Sequence, residues 1–246
     1  MTFSFLKKLF SRGDQPLEKV ESIIRYTFQN KELLKESLSH RSNIEEVSSN
    51  ERLEYLGDAV LGLVVSEFLY KEFPELHEGN LTKLKSALVN EVILAKISTQ
   101  FGLCDYIMMS SEEEKAGGRA KLSITSDALE ALLGAVYLDG GLNASKKVIH
   151  NLILKKYKEH INDKSLHNYK GDLLEYIQKQ GSITPRYEVV EELGPDHDKT
   201  FIVNVLIDRK IMGTGKGSTK KEAEQNAAHE AMEKIKPEYD DNSIID

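Results

Sequence analysis

A chain of 246 residues with 40% hydrophobic content and no low-complexity stretch has the length and composition of one or two folded domains. A single cysteine, Cys104, excludes an intrachain disulfide and fits a reducing, cytoplasmic setting; no apolar run approaches the ~20 residues that span a bilayer, so no membrane partner is expected. The net charge of −7 argues against a broadly basic nucleic-acid binder, but residues 209–221 hold Arg209, Lys210, Lys216, Lys220 and Lys221 with no acid, a local patch suited to phosphates.

The chain opens with Met1-Thr-Phe-Ser-Phe-Leu-Lys-Lys-Leu-Phe, which lacks a cleavage-site pattern and is too short in apolar run for a signal peptide. It reads as a frayed terminus in preference to a weak amphipathic tag. Residues 17–162 then read as mainly helical, with apolar residues at helical spacing in Leu33, Leu34 and Leu38 and in Leu81, Leu84, Leu88 and Val92. Long helices are expected over 54–73, 80–101 and 126–138. Pro74 ends the first, Gly117-Gly118 marks a loop, and Asp139-Gly140-Gly141 closes the third; a last helix is expected over 142–159. The polar run 162–168 reads as a linker. Beyond it come a helix near 169–180, strands over 186–191, 200–207 and 210–215, and a helix from Thr219 to about Ile235. The predicted architecture is an all-α domain (17–160), a linker (161–168) and a small α+β domain of order α-β-β-β-α (169–237).

The most informative stretch is Asn50-Glu51-Arg52-Leu53-Glu54-Tyr55-Leu56-Gly57-Asp58. At about 100° per residue, Glu51, Glu54 and Asp58 share a narrow arc of one helix. Asp58 runs into an apolar segment, where an ionised carboxylate is costly unless something positive meets it. Ser126-Asp127-Ala128-Leu129-Glu130-Ala131 repeats the theme, with Asp127 and Glu130 at i, i+3. Two such helices side by side would gather oxygen ligands for Mg²⁺ with positions open to water and phosphate, the requirement of metal-assisted phosphodiester hydrolysis. Every one of the singled-out acids except Glu130, which lies mid-helix among apolar residues, also has a plainer reading. Ser48 and Glu51 fit a capping box, Glu54 a surface acid, Asp58 a bond to neighbouring backbone, Asp127 an acid favoured at a helix start, and Glu78 a solvated charge. Tyr55 reads as a core or interface aromatic.

These same segments resemble the bacterial ribonuclease III signature in content, order and spacing, together with Glu78-Gly79 after Phe73-Pro74. The C-terminal third resembles the double-stranded-RNA-binding domain of that family, and the likeness covers roughly residues 20–236. The resemblance implies an endoribonuclease that hydrolyses double-stranded RNA with Mg²⁺ (Mn²⁺ as a substitute) and no small-molecule cofactor. Cleavage would leave 5′-phosphate and 3′-hydroxyl ends, on ribosomal RNA precursors and other structured transcripts. It implies Glu54, Asp58, Asp127 and Glu130 as metal ligands, Asp58 and Glu130 as the essential catalytic pair, Glu51 and Glu78 in support, and Tyr55 at a homodimer interface. In the C-terminal domain it implies RNA contacts from Glu175, Gln178, His197, Ser218, Thr219, Lys220 and Lys221. A helix N-terminus with two lysines forms a phosphate clamp, set against the reading of an ordinary capped helix start. The chain departs from the family at Leu174, where a glutamine is common, which removes one minor-groove contact.

Two look-alikes are set aside. Gly213-Thr-Gly-Lys-Gly-Ser218 lacks a lysine followed directly by serine or threonine and follows no buried parallel strand, and His197-Asp198 has no matching ligand constellation. The rival readings are a double-stranded-RNA-binding regulator with a dead nuclease fold, which would need loss of an acid, and a purely structural dimer, for which the embedded acids would be wasteful.

Overall fold

The computed structural model describes residues 14–43, 48–161, 167–181, 184–195 and 199–236. The chain divides into two compact units, Met1–Asp163 and Lys164–Asp246. The linker expected over 161–168 lies largely outside the described residues.

The first unit is helical: α1 (Asp14–Ile24), α2 (Lys31–Ser37), α3 (Glu51–Glu72), α4 (Glu78–Leu88), α5 (Glu91–Gln100), α6 (Ser111–Lys115), α7 (Leu122–Leu152) and α8 (Tyr157–Ile161). The single helix expected over 80–101 is two. The Asn90 side chain accepts a bond from the Ile93 N–H (2.9 Å) and donates to the Ala87 carbonyl (2.8 Å), so one residue caps the start of α5 and holds the end of α4. The helices expected from 54 and 126 each begin a turn earlier, at Glu51 and Leu122. Gly141 leaves helical geometry (φ 73°, ψ −176°), so α7 is two helical stretches that meet at a kink there, where Asp139-Gly140-Gly141 is expected to close the first. Asp139, just before the kink, accepts bonds from the Tyr26 hydroxyl (2.6 Å) and from the Gln29 and Asn30 N–H groups (2.9 and 2.8 Å). These tie the α1–α2 connection to α7.

The centre of this unit is the pair α3 and α7. Leu53, Val60, Leu61 and Val64 on α3 and Leu129, Leu132, Leu133 and Val136 on α7 are buried. Each such side chain contributes roughly 1.5–3 kcal/mol on leaving water. The helices come within backbone contact because two positions lack side chains. A Cβ on Gly57 would stand 1.8 Å from the Glu130 carbonyl oxygen, and one on Gly134 would stand 2.2 Å from that of Leu53.

In the second unit α9 (Tyr169–Lys179) precedes an antiparallel sheet of β1 (Arg186–Leu193), β2 (Thr200–Ile207) and β3 (Lys210–Gly217), in the order β1-β2-β3, and α10 (Lys220–Ile235) follows. Val203, Val205 and Ile207 alternate inward along β2. Val205 and Ile207 share a core with Leu173 and Ile177 of α9 and with Ala227, Ala228, Ala231 and Met232 of α10. The glycines of β3 that glance at a nucleotide-binding loop have a packing role. A Cβ on Gly215 would stand 2.1 Å from the Ala223 carbonyl of α10.

Replacing Gly57 with alanine should destabilise the nuclease unit by at least ~2–3 kcal/mol, the response of a packed interior to added volume. Urea unfolding followed by circular dichroism measures it.

Candidate active site

Starting α3 at Glu51 puts Glu51 and Glu54 in its first turn and Asp58 one turn beyond Glu54. Starting α7 at Leu122 puts Asp127 in its second turn, so Asp127 is not the helix-start acid of the plainer reading. The Gly57–Gly134 crossing then draws the two sets together. Glu54, Asp127 and Glu130, all half-buried, each offer a carboxylate oxygen within 4.8 Å of the others.

Asp58 departs from expectation. Gly57, Val60 and Leu61 point inward, while Asp58 and Ala59 rotate to the exposed side of the helix. An apolar neighbourhood in sequence is not burial when the turn carries the residue outward. Asp58 lies outside the 4.8 Å group, yet its charge reaches Glu130.

The electrostatics are unfavourable without a cation. Burial, then the charges of Asp58, Asp127 and Glu54, push the Glu130 carboxyl from 4.5 up to about 8. Burial also raises Glu54, with Asp127 and Glu51 adding to it. Burial raises Asp127, against a bond donated by the Ser126 hydroxyl (3.3 Å). Three hard oxygen donors in mutual reach, one of them holding its proton at neutral pH, are a donor set that fits a divalent cation.

Glu51 sits at the rim. Its carboxylate accepts from the Ser49 hydroxyl (2.8 Å) and pairs with Arg41 at 3.6 Å. The capping box with Ser48 does not form. Asn50 is the N-cap, in helical geometry and with no side-chain cap bond. Glu78 opens α4, accepts a bond from Thr82 (3.1 Å), and is not among the acids whose charges raise Glu54, Asp127 or Glu130. Tyr55 is 82% exposed, which removes the core reading.

An open cleft of about 620 Å³ is lined by Glu51, Glu54, Glu113 and Asp127 together with His40, Arg41 and Lys121. Sequence reasoning missed this basic part of the lining. Its signal was a polar Ser39-His40-Arg41-Ser42 run closing α2, unremarkable until folded against the acids. Burial holds the His40 imidazole below its ordinary value.

In the second unit Glu175 and Gln178 share a face of α9, and Glu175 pairs with Lys179 (2.8 Å). At the start of α10 the ordinary cap is formed. The Thr219 hydroxyl accepts the Glu222 N–H (3.1 Å), and the Ser218 N–H and O–H both donate to the Glu222 carboxylate (2.7 Å each). Lys220 pairs with Glu192 (2.9 Å) and lies over the Phe201 ring, whereas Lys221 is exposed with no partner among the described residues. His197 lies outside the described residues.

Residues 30–157 match the Ribonuclease-III-like family and residues 169–235 the Double-stranded RNA binding motif. The chain belongs to the ribonuclease III family. Ribonuclease 3 of Campylobacter fetus is 47% identical over 218 residues, 88% of this chain and 97% of that protein. Ribonuclease 3 of Helicobacter pylori strain J99 is 42% identical over 223 residues, 91% and 93% of the two chains. A solved nuclease domain of ribonuclease III from Campylobacter jejuni, described for flexibility in a region involved in dimer formation, superposes with a TM-score of 0.55 at 47% identity. It covers 58% of this chain and 99% of its own. As a ribonuclease III, this protein is an endoribonuclease of double-stranded RNA whose nuclease domain uses a divalent metal. No helix among the described residues is long and apolar enough to cross a membrane.

The raised Glu130 value fixes a pH response for metal-free protein. Between 4.5 and about 8 the folded state keeps a proton that the unfolded chain has released, so stability falls as pH rises through that window and levels off above it. Glu130→Gln should abolish most of that fall and raise the Tm at pH 8 in EDTA by roughly 3 °C, the response to ~1 kcal/mol in a domain of this size. Thermal scans from pH 5 to 9 check it.

Proposed function

We propose that Glu54, Asp58, Asp127 and Glu130 hold Mg²⁺, with Mn²⁺ as a substitute, and that the cleft beside them hydrolyses one strand of an RNA duplex to 5′-phosphate and 3′-hydroxyl ends. The observation that carries this reading is the mutual reach of Glu54, Asp127 and Glu130, with Glu130 pushed to about 8 by burial and by three neighbouring acids. When bound, the ion supplies a lowered pKa for its water and charge stabilisation at the phosphate. The protein's residues do the rest. Glu130 and Asp58 are the essential pair, Glu130 as the half-buried acid that would give up its proton to a bound cation. Glu51 supports the rim by raising Glu54 and engaging Arg41; Glu78 is kept as a supporting acid on the family resemblance alone.

One such site cuts one strand, so a homodimer cuts both. Tyr55, Leu63 and Tyr70, 82%, 55% and 73% exposed along α3, support that interface. The nuclease domain is assigned to 17–160, the linker to 161–168 and the RNA-binding domain to 169–237. The second domain holds the duplex through shape and phosphate contacts from Ser218, Thr219, Lys220 and Lys221, with Glu175, Gln178 and His197 on the minor groove. Lys221 is free for a phosphate, whereas Lys220 must exchange Glu192 for it. Ribosomal RNA precursors and other structured transcripts in the cytoplasm are the assigned substrates.

A labelled RNA duplex with Mg²⁺ should be cut by the native chain and left intact in EDTA, as should a matching DNA duplex with Mg²⁺. Glu130→Gln should bind the RNA and lower its cleavage rate at least ~100-fold. Binding without cutting under every metal condition would leave only a regulator. The double substitution Lys220→Ala/Lys221→Ala should weaken duplex binding across all sequences and reduce the slope of log affinity against log salt by about 2, read by anisotropy at several salt concentrations.

A further inference from the structure

The cleft lined by the carboxylates also holds His40, whose ring has one nitrogen engaged and the other without a hydrogen-bond partner among the described residues. The Ser42 N–H donates to His40 Nδ1 (3.2 Å). A backbone N–H can only donate, so Nδ1 is the acceptor and a neutral ring carries its proton on Nε2. Ser42 Oγ lies 2.8 Å from the same Nδ1 and accepts the Ser110 N–H (3.0 Å); with Nδ1 unprotonated, the hydroxyl is the donor in its contact with the ring. The backbone N–H of Ser42 thus sets the tautomer.

The backbone around the ring is equally fixed. The His40 N–H donates to the Met108 carbonyl (2.9 Å), the Met108 N–H to Leu38 (2.7 Å), and the Asn50 N–H at the head of α3 to Ser39 (2.9 Å). His40 is thus anchored both to the 108–110 strap and to the helix that bears Glu54. His40 lines the cleft and feels the charges of Glu113, Asp127 and Glu51, but Nε2 has no hydrogen-bond partner among the described residues. The neighbouring cations are engaged already, Lys121 with Glu113 (2.6 Å) and Arg41 with Glu51 (3.6 Å).

We propose that His40 donates from Nε2–H to a nonbridging oxygen of an RNA phosphodiester in this cleft, and so positions the strand over the carboxylates. A neutral donor suits the place, because a second fixed cation beside Glu54 and Asp127 would compete with the metal for them. This inference rests on the nuclease reading above.

The test pairs two substitutions. In His40→Asn the side-chain carbonyl still accepts the Ser42 N–H, but the outer donor is gone; in His40→Gln an amide N–H stands near the Nε2 position. Single-turnover cleavage of an RNA duplex at saturating enzyme should slow roughly 10- to 100-fold in His40→Asn, the loss of one hydrogen bond to a charged group. Mn²⁺ affinity by calorimetry and Tm should hold at native values, and His40→Gln should recover most of the rate. A methylphosphonate at the contacted phosphate should slow the native enzyme and add nothing in His40→Asn. The proposal falls if His40→Asn cuts at the native rate, if its slowing tracks a loss of Tm or Mn²⁺ affinity, or if every methylphosphonate slows both enzymes alike. Failure of the native chain to cut, or full activity in Glu130→Gln, would instead overturn the nuclease reading beneath it.

Discussion

The backbone of α3 meets the backbone of α7 at Gly57 and Gly134, and every feature of the acidic site depends on that contact. Side chains at either position would hold the helices apart. With them in contact, Glu54 and Asp58 flank the crossing on one helix, and Asp127 and Glu130 precede it on the other. The apolar residues around the crossing, among them Leu61, Leu129 and Leu133, supply the burial that offsets the repulsion between acids. The interior contact and the electrostatic cost come from one geometric choice.

Burial first, and then its acidic neighbours, keep Glu130 protonated near neutral pH, a cost that a cation taking the place of the proton would relieve. Around the acids the protein spends polar groups differently. Asp139 ties the α1–α2 connection to α7 with three accepted bonds, and Ser42 and Met108 fix the His40 loop against the head of α3. The cleft therefore joins acids placed by helix packing to a histidine placed by loop hydrogen bonds.

The second unit uses the same packing device for another end. Gly215 lets α10 settle on β3 against Ala223, and the settled helix exposes Lys220 and Lys221 at its start. Acids thus gather at the α3–α7 crossing of one unit, and Lys220 and Lys221 stand exposed at the start of α10 in the other. The cap formed at Thr219 and Glu222 engages both the N–H and the O–H of Ser218.

The sequence by itself determined the helical and α-β-β-β-α regions, the two acid pairs and the basic patch, because periodicity and i, i+3 spacing are local properties that survive folding. It misjudged what depends on neighbours distant in the chain. The 80–101 run breaks at Asn90 because its side chain bonds both ways, a choice invisible to apolar spacing. Asp58 lies among apolar residues in sequence but faces outward, because burial is set by which side of α3 meets α7. His40 carried no signal of its own. Only tertiary structure brought the segment that follows α2 against the strap at 108–110 and the head of α3, because the hydrogen bonds that hold it join residues up to 70 positions apart, Leu38 and Met108.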